Sequence, residues 1–177
     1  TDKPARTHPV NAPPVNHSFN HHLNINVLFI HDDEGTLFQF LSIVDVGTRM
    51  HQVALVKEGK GQPTSLKCLT AFMKYWVAPY GWPSLITTDR GLHNRGVFVR
   101  TLAAHGVHCR QAGLESPEHI AIGERHGGTF KNILKRVIRH NGIVGKSHLK
   151  IAALECIAVK NDESRVGGFS PSQWALG

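Results

Sequence analysis

The sequence predicts an α/β domain in which a five-stranded mixed sheet is flanked by helices. Three apolar segments joined by short turns come first, an order typical of an antiparallel meander. Helical and strand patterns then alternate, which favours parallel strands joined by crossover helices. At 177 residues, of which 41% are hydrophobic, the chain is long enough for one domain with a core of its own.

The strands of the meander are apolar runs separated by turn residues. The first turn, HDDEG, ends in Gly35, which tolerates the backbone of a tight turn. We predict the three strands over residues 23–30, 37–45 and 48–56.

The second half of the chain alternates helices with short strands. Thr64 is a suitable N-cap for a helix that runs towards Pro79, and Ser116 followed by Pro117 marks the start of a longer helix. An apolar stripe of helical period anchors that longer helix to the core: Phe130, Ile133, Leu134, Val137 and Ile138. We also predict strands over 84–89 and 107–112, and helices over 97–106 and 146–160.

Composition divides the chain into three parts. Residues 1–20 hold four of the nine prolines and no sustained apolar pattern, so we predict an extended tether there. Residues 21–165 carry the predicted strands and helices, and 166–177 form the start of a C-terminal linker. Because the chain starts at Thr1, we expect it to be a segment of a longer protein.

Charge and cysteine usage narrow the range of partners. The net charge of +7 and the pI of about 9.6 indicate a polyanionic partner. Between Arg125 and Lys150 the chain has seven basic residues and no acid, a pattern equally compatible with a solvated helix face.

No apolar run approaches the length of a membrane span, so no membrane partner is expected. Three dispersed cysteines argue against a disulfide framework and a structural zinc site.

Two acids stand where a catalytic site could form. Asp89 closes an apolar strand, and strand ends are where loops converge on sites in α/β sheets. Glu124 is flanked by Gly123, Gly127 and Gly128, which weaken a helix and therefore indicate a close approach by another group. Taken singly, Asp89 is also a good turn residue before Gly91, and Glu124 also compensates a helix dipole.

Together these segments resemble the catalytic core of integrases from retroviruses and long-terminal-repeat retrotransposons. The resemblance extends from about Phe19 to Gly177 and is carried by five blocks in order. These blocks are FLSIVDVGTRMHQVAL, YWVAPYGWPSLITTDRG, AAHGVHCRQAGLESP, IGERHGGTFK and GGFSPSQWALG. The resemblance implies an RNase H-like fold, and it implies a zinc-binding module upstream, with residues 1–20 as its tether.

The resemblance also implies a metal-dependent catalytic site. The motif of this family is an Asp, a second Asp and a Glu about 35 residues later, and 34 residues separate Asp89 from Glu124. In an intact site the three carboxylates hold two Mg²⁺ (or Mn²⁺) ions. Here the first position falls on Asn26, whose amide oxygen carries no negative charge and bridges two dications poorly. We therefore expect metal binding and catalysis to be weakened or lost; Asp32, Asp33 and Asp45 are not expected to substitute.

The resemblance further implies DNA as the partner, both element ends and target DNA, and a homo-oligomeric assembly. Integration requires access to chromosomal DNA, which implies the nucleus. Lys131 lies two helical turns after Glu124 and could contact a DNA end, with Gly128 leaving room for a phosphate backbone. The full set of DNA-binding candidates is Arg125, Lys131, Lys135, Arg136, Arg139, His93 and Asn94.

Three functions remain open at this stage. The first is an integrase core that performs DNA 3′-end processing and strand transfer, impaired by Asn26. The alternative is a non-catalytic DNA-binding or assembly module with the same fold. A ribonuclease that cleaves RNA–DNA hybrids shares the metal chemistry, but the segments around Asp89 and Glu124 resemble integrases more closely.

Overall fold

The computed structural model describes residues 16–88, 96–111, 117–165 and 168–176, with only the backbone described for 117–120. Its five-stranded sheet has the order β3-β2-β1-β4-β5. The strands are β1 (His22–His31), β2 (Leu37–Asp45), β3 (His51–Glu58), β4 (Leu85–Thr88) and β5 (His108–Gln111). β1, β2 and β3 pair antiparallel, whereas β4 pairs parallel to both β1 and β5. The predicted mixed sheet is therefore confirmed.

The first four helices follow the predicted order, and a fifth lies in the segment predicted as a linker. The first part of α1 is Ser65–Phe72. Its N-cap is Thr64, whose side chain accepts a hydrogen bond from the backbone N–H of Lys67 at 3.2 Å. α1 continues through a π-helical segment, Met73–Val77, and a last turn, Ala78–Tyr80. The others are α2 (Gly96–Ala104), α3 (Pro117–Asn141), α4 (Lys146–Glu163) and α5 (Pro171–Leu176). None of the described helices is long and apolar enough to cross a membrane.

A hydrophobic core lies on each face of the sheet because β1 presents alternate side chains to opposite faces. Leu23 and Ile25 pack with α1 and α2 around the buried Trp76. On the other face, Ile30 packs with the apolar stripe of α3 and with α4. Within that stripe Phe130, Leu134 and Ile138 are buried, Val137 is half-buried and Ile133 is exposed.

The segment before β1 packs onto the domain. The Phe19 ring lies edge-on to Tyr80 with 5.3 Å between ring centroids. The Asn20 side chain accepts from the Trp76 indole N–H at 2.8 Å and donates to the Tyr80 carbonyl at 3.0 Å. A Cβ on Gly47 would lie 2.8 Å from the carbonyl oxygen of Asn16, so the chain passes over a residue that has to be glycine. Residues 16–20, which composition assigned to the tether, thus contact the core.

Candidate functional site

Strand β1 carries Asn26 on the face of the sheet that α3 covers. Leu28 and Ile30 pack in the core under α3, and Asn26 shares their parity along a strand with unbroken register. Its side chain is half-buried, and its cross-strand neighbour on β2 is the buried Ser42. Asn26 is therefore on the side of the sheet that bears the predicted catalytic helix.

Two glycines let α3 approach β1 closely. A Cβ on Gly123 would lie 2.7 Å from the Cβ of Asn24, and a Cβ on Gly127 would lie 3.1 Å from Cδ2 of Leu28. Real side-chain carbons do not approach within 2.7 Å, so Gly123 could not be replaced without a shift of the helix. The close approach predicted from the glycines is confirmed, and the two contacts lie on either side of Asn26 along the strand.

Glu124 follows Gly123 directly, and its side chain is exposed. It therefore lies on the part of α3 that approaches β1, with its carboxylate open to solvent. A Cβ on Gly128, one turn later, would have nothing within 4 Å. Among the described residues, the helix surface at Gly128 is therefore open.

Asp89, His93 and Asn94 lie outside the described residues. What is described is the end of the strand before them: β4 ends at Thr88, whose Cα pairs with that of Ile25 in the parallel ladder. In sequence, Asp89 follows Thr88 just as Asn26 follows Ile25.

Asp45 has a structural role that occupies its carboxylate. It is fully buried and accepts from the Thr48 backbone N–H at 2.8 Å, the Thr48 hydroxyl at 2.7 Å and the Asn20 backbone N–H at 3.0 Å. Burial raises the pKa of Asp45, although the Thr48 hydrogen bonds oppose this shift. These bonds close the turn after β2, which is why β3 begins at His51 rather than at residue 48.

Both carboxylate oxygens of Asp32 also accept hydrogen bonds from the backbone. One of its oxygens accepts from the backbone N–H groups of Glu34 at 3.0 Å and Thr36 at 2.9 Å, and the other accepts from Gly145 at 3.0 Å. Burial by itself raises the pKa of Asp32, but backbone hydrogen bonds, that from Gly145 foremost, leave it below the usual value. Asp32 therefore joins the first hairpin turn to the start of α4.

The described residues do not form a complete metal site by themselves. Among them no group of three or more His, Cys, Asp and Glu side chains could hold a metal ion. Near the α3–β1 contact, the candidate ligands among them are one carboxylate, Glu124, and one amide, Asn26. Those two donors alone do not fit a two-metal centre, which needs bridging carboxylates. The remaining ligand that the resemblance implies, Asp89, lies outside the described residues.

Sequence reasoning missed a buried polar cluster that connects α3 and α4 to the sheet. Lys160 is 4% exposed, and its Nζ donates to Nδ1 of His126 at 2.8 Å. Burial lowers the pKa of Lys160 to about 8, and burial together with the nearby Lys160 charge lowers that of His126 to about 3. His126 is therefore neutral near pH 7 and points into the protein, away from the exposed Glu124.

His51 extends this cluster towards β2. It is fully buried, its Nε2 lies 2.7 Å from the Ser42 hydroxyl, and burial keeps its pKa well below the usual value. Asn161 bonds to both backbone groups of His51, accepting at 3.0 Å and donating at 2.8 Å. The sequence signal was weak: a Lys-Asn pair near the end of an apolar helix resembles a solvated helix terminus.

The basic candidates on α3 differ in position around the helix. Lys131 and Lys135 follow Glu124 by seven and eleven residues, about two and three turns, so the three side chains share one side of the helix. Lys131 is half-buried and Lys135 exposed. The remaining candidates on α3, Arg125, Arg136 and Arg139, are exposed as well. Arg125 and Arg136 point a quarter turn or more around the helix away from Glu124.

No protein-family model matches the chain, and no curated protein gives a significant match. Solved structures of retroviral proteins match well. A chain of the simian T-cell lymphotropic virus intasome in complex with PP2A regulatory subunit B56 gamma has a TM-score of 0.80 at 17% identity. That match covers 99% of this chain and 61% of the viral one, so this chain spans less than two thirds of its length.

Two smaller structures match along nearly their whole length. The HTLV-2 integrase catalytic core domain in complex with magnesium, in its dimeric form, has a TM-score of 0.71 at 18% identity, covering 89% of this chain and 96% of that one. The catalytic core domain of BIV integrase has a TM-score of 0.68 at 13% identity, covering 89% and 94%. The protein therefore has the fold of a retroviral integrase catalytic core.

Proposed function

We propose that the protein is the core of a retroelement integrase that acts on DNA ends, with its chemistry impaired at the first catalytic position. The observation that carries the proposal is the close packing of α3 on β1 through Gly123 and Gly127. This packing brings the helix that bears Glu124 onto the face of β1 that bears Asn26. The fold and the order of the motif residues agree with DNA 3′-end processing followed by strand transfer.

Asp89 and Glu124 are the proposed metal ligands, with the amide oxygen of Asn26 as a weak third donor. When bound, Mg²⁺ or Mn²⁺ would activate the attacking oxygen and stabilise the leaving oxygen of a phosphodiester. The HTLV-2 core of the same fold was solved in complex with magnesium. With Asn26 the three donors carry two negative charges instead of three, so affinity for a pair of dications falls.

DNA is the proposed partner, and α3 is the proposed contact. Lys131 and Lys135 lie on the Glu124 side of the helix, and Gly128 between them and Glu124 leaves space for a phosphate backbone. Arg125, Arg136 and Arg139 add exposed positive charge around the same helix. The structures of the same fold include a dimer, a trimer and an intasome, which supports a homo-oligomer here as well.

The deciding experiment compares the protein with its Asn26→Asp variant. Cleavage and strand transfer of labelled duplex oligonucleotides would be measured in Mg²⁺ and in Mn²⁺, and metal affinity by isothermal titration calorimetry. We expect the variant to bind Mg²⁺ more tightly and to gain activity, because a third carboxylate can bridge two ions. The double variant Asn26→Asp, Glu124→Gln is the control and should lose both gains. Equal metal affinity in the protein and the single variant would contradict the placement of Asn26.

The second candidate is a DNA-binding or assembly module without catalysis, which the amide at residue 26 favours. This candidate predicts that the unmodified protein and the Asn26→Asp variant both bind DNA in a salt-sensitive way. Neither should cleave or transfer DNA strands, even if the variant binds metal. Cleavage of an RNA–DNA hybrid, but not of duplex DNA ends, would instead indicate the ribonuclease.

A further inference from the structure

The segment that enters β1 meets the segment that enters β4 at the side chain of Asn20. Strand β1 carries Asn26, and β4 ends at Thr88, directly before the proposed ligand Asp89 in the chain. We propose that Asn20 is a positioning residue of the candidate site and holds β4 in register with β1. This role rests on the proposed metal site and extends it to a residue that binds no metal.

The side chain of Asn20 joins β1 to the turn before β4. Its Nδ2 group donates to the carbonyl oxygens of Tyr80 at 3.0 Å and of Gly81 at 3.2 Å, where α1 ends and the turn begins. Its Oδ1 accepts from the indole N–H of the fully buried Trp76 at 2.8 Å. Because the indole can only donate and the carbonyls can only accept, a single orientation of the amide satisfies all of these partners.

The backbone of Asn20 is fixed as well. Its N–H donates to Oδ1 of Asp45 at 3.0 Å, and its φ of 63° lies in the left-handed region, which Asn adopts more readily than most residues. The next residue begins the ladder, since the carbonyl oxygen of His21 accepts from the N–H of Leu85 at 2.9 Å. Asn20 therefore lies directly beside the first hydrogen bond between the two segments.

The pairing of β1 with β4 has no hairpin turn to set its register. The two strands are parallel, and residues 32–84 separate them in the chain. β4 has four residues, of which Ile86 is the one fully buried apolar side chain. The hydrophobic pattern of so short a strand selects its face but constrains its position along β1 only weakly. The hydrogen bonds of Asn20 supply a fixed point outside the ladder.

The position of β4 along β1 determines where the following residue lies. In the observed register Ile25 pairs with Thr88, and in the chain Asn26 and Asp89 come next. A shift by one residue moves the end of a strand by about 3.3 Å and turns its side chains to the other face. Paired metal ions lie about 3.5–4 Å apart, so a shift of that size separates their ligands. Replacing residues that orient metal ligands typically lowers metal affinity by roughly 10–100-fold.

The first measurement is amide hydrogen exchange, followed by NMR, in the unmodified protein and in its Asn20→Gly variant. Glycine retains the left-handed backbone and the N–H to Asp45, so only the side-chain hydrogen bonds are lost. We expect the Leu85 amide to exchange about tenfold faster or more in the variant, relative to the amides of β2. Asn20→Asp, which still accepts from Trp76 but cannot donate, is the second variant if glycine lowers the melting temperature.

The second measurement is Mn²⁺ affinity by isothermal titration calorimetry, with Asn26→Asp as the reference. Adding Asn20→Gly to that variant should weaken Mn²⁺ binding about tenfold, at a temperature where both proteins are folded.

The matched control is Asn161→Ala in the same background. The Asn161 side chain also forms two hydrogen bonds to a backbone, that of His51, at 3.0 and 2.8 Å. His51 is on β3, which β2 and β1 separate from β4. Stability should therefore fall in this control, whereas Mn²⁺ affinity and the exchange of Leu85 relative to β2 should stay within about twofold.

Two results would overturn the role of Asn20. The first is exchange of the Leu85 amide that changes no more than that of the β2 amides when Asn20 is replaced. The second is equal Mn²⁺ affinity with and without Asn20→Gly in the Asn26→Asp background. If Asn26→Asp itself gained no Mn²⁺ affinity, the proposed metal site would be contradicted instead, and the exchange of Leu85 would decide by itself whether Asn20 holds the strand pair.

Discussion

At the scale of single residues, the candidate site depends on two positions, Asn26 and Gly123. Asn26 replaces a charged ligand with a neutral one at the position that the sequence resemblance assigns to the first carboxylate. Gly123 removes a side chain where α3 meets β1, and a Cβ there would lie 2.7 Å from Asn24. In the proposed site the neutral amide of Asn26 is expected to lower metal affinity, whereas the missing side chain of Gly123 is required for the packing that brings α3 onto β1.

Replacing Gly123 with alanine should therefore lower the stability of the protein. We expect the free energy of unfolding to fall by about 1–2 kcal/mol, because overpacking against Asn24 exceeds the gain in helix propensity. Gly128→Ala is the control: its Cβ meets open space, and stability should rise by up to about 1 kcal/mol. Urea denaturation measures both values. A stabilised Gly123→Ala variant would show that α3 does not press on β1.

At the scale of elements, α3 contributes both to the hydrophobic core and to the proposed site. Its buried side carries Phe130, Leu134 and Ile138, and its outer surface carries Glu124 and the basic residues. The helical period of the stripe predicted the burial of these three residues, but Ile133, which it also included, is exposed. The glycines predicted a close approach but not its partner, because Asn24 and Leu28 of β1 lie about a hundred positions earlier in the chain.

The basic surface of α3 predicts salt-dependent DNA binding. If Lys135 contacts a phosphate, Lys135→Gln should weaken binding to any sequence and reduce the slope of log affinity against log salt by about 1. Lys60→Gln, an exposed lysine beyond the end of β3, should leave the slope unchanged. Anisotropy titrations at several salt concentrations give the slopes. Identical slopes for all three proteins would exclude Lys135 from the DNA contact.

At the scale of the whole molecule, the sheet separates two cores of different character. The face covered by α1 and α2 is apolar and aromatic around Trp76. The face covered by α3 and α4 combines an apolar core with the buried cluster of His51, His126 and Lys160. A buried ammonium hydrogen-bonded to a neutral imidazole makes the stability of the fold dependent on pH.

The pKa of Lys160 gives the sign of that dependence. It is lowered from 10.5 to about 8, so between these pH values the folded state has released a proton that the unfolded state still holds. Stability should therefore rise with pH across this window, by about 3 kcal/mol in total. Lys160→Met should abolish this contribution, and Lys146→Met, on an exposed lysine, should keep it. Denaturation at a series of pH values tests the difference; parallel curves for all three proteins would contradict a buried Lys160 charge.

Local patterns in the chain predicted the order of the strands and of the first four helices, the N-cap at Thr64, most of the apolar stripe of α3 and the resemblance that includes Asn26, Asp89 and Glu124. These are local signals, because caps, turns and periodicity involve residues within a few positions of one another. The contacts of the α3 glycines with β1, the hydrogen bond from Gly145 to Asp32 and the Lys160–His126 pair could be recognised only in the folded molecule. Each of these joins residues from distant segments, whose proximity arises from the packing of helices on the sheet and leaves no periodic signal in the chain.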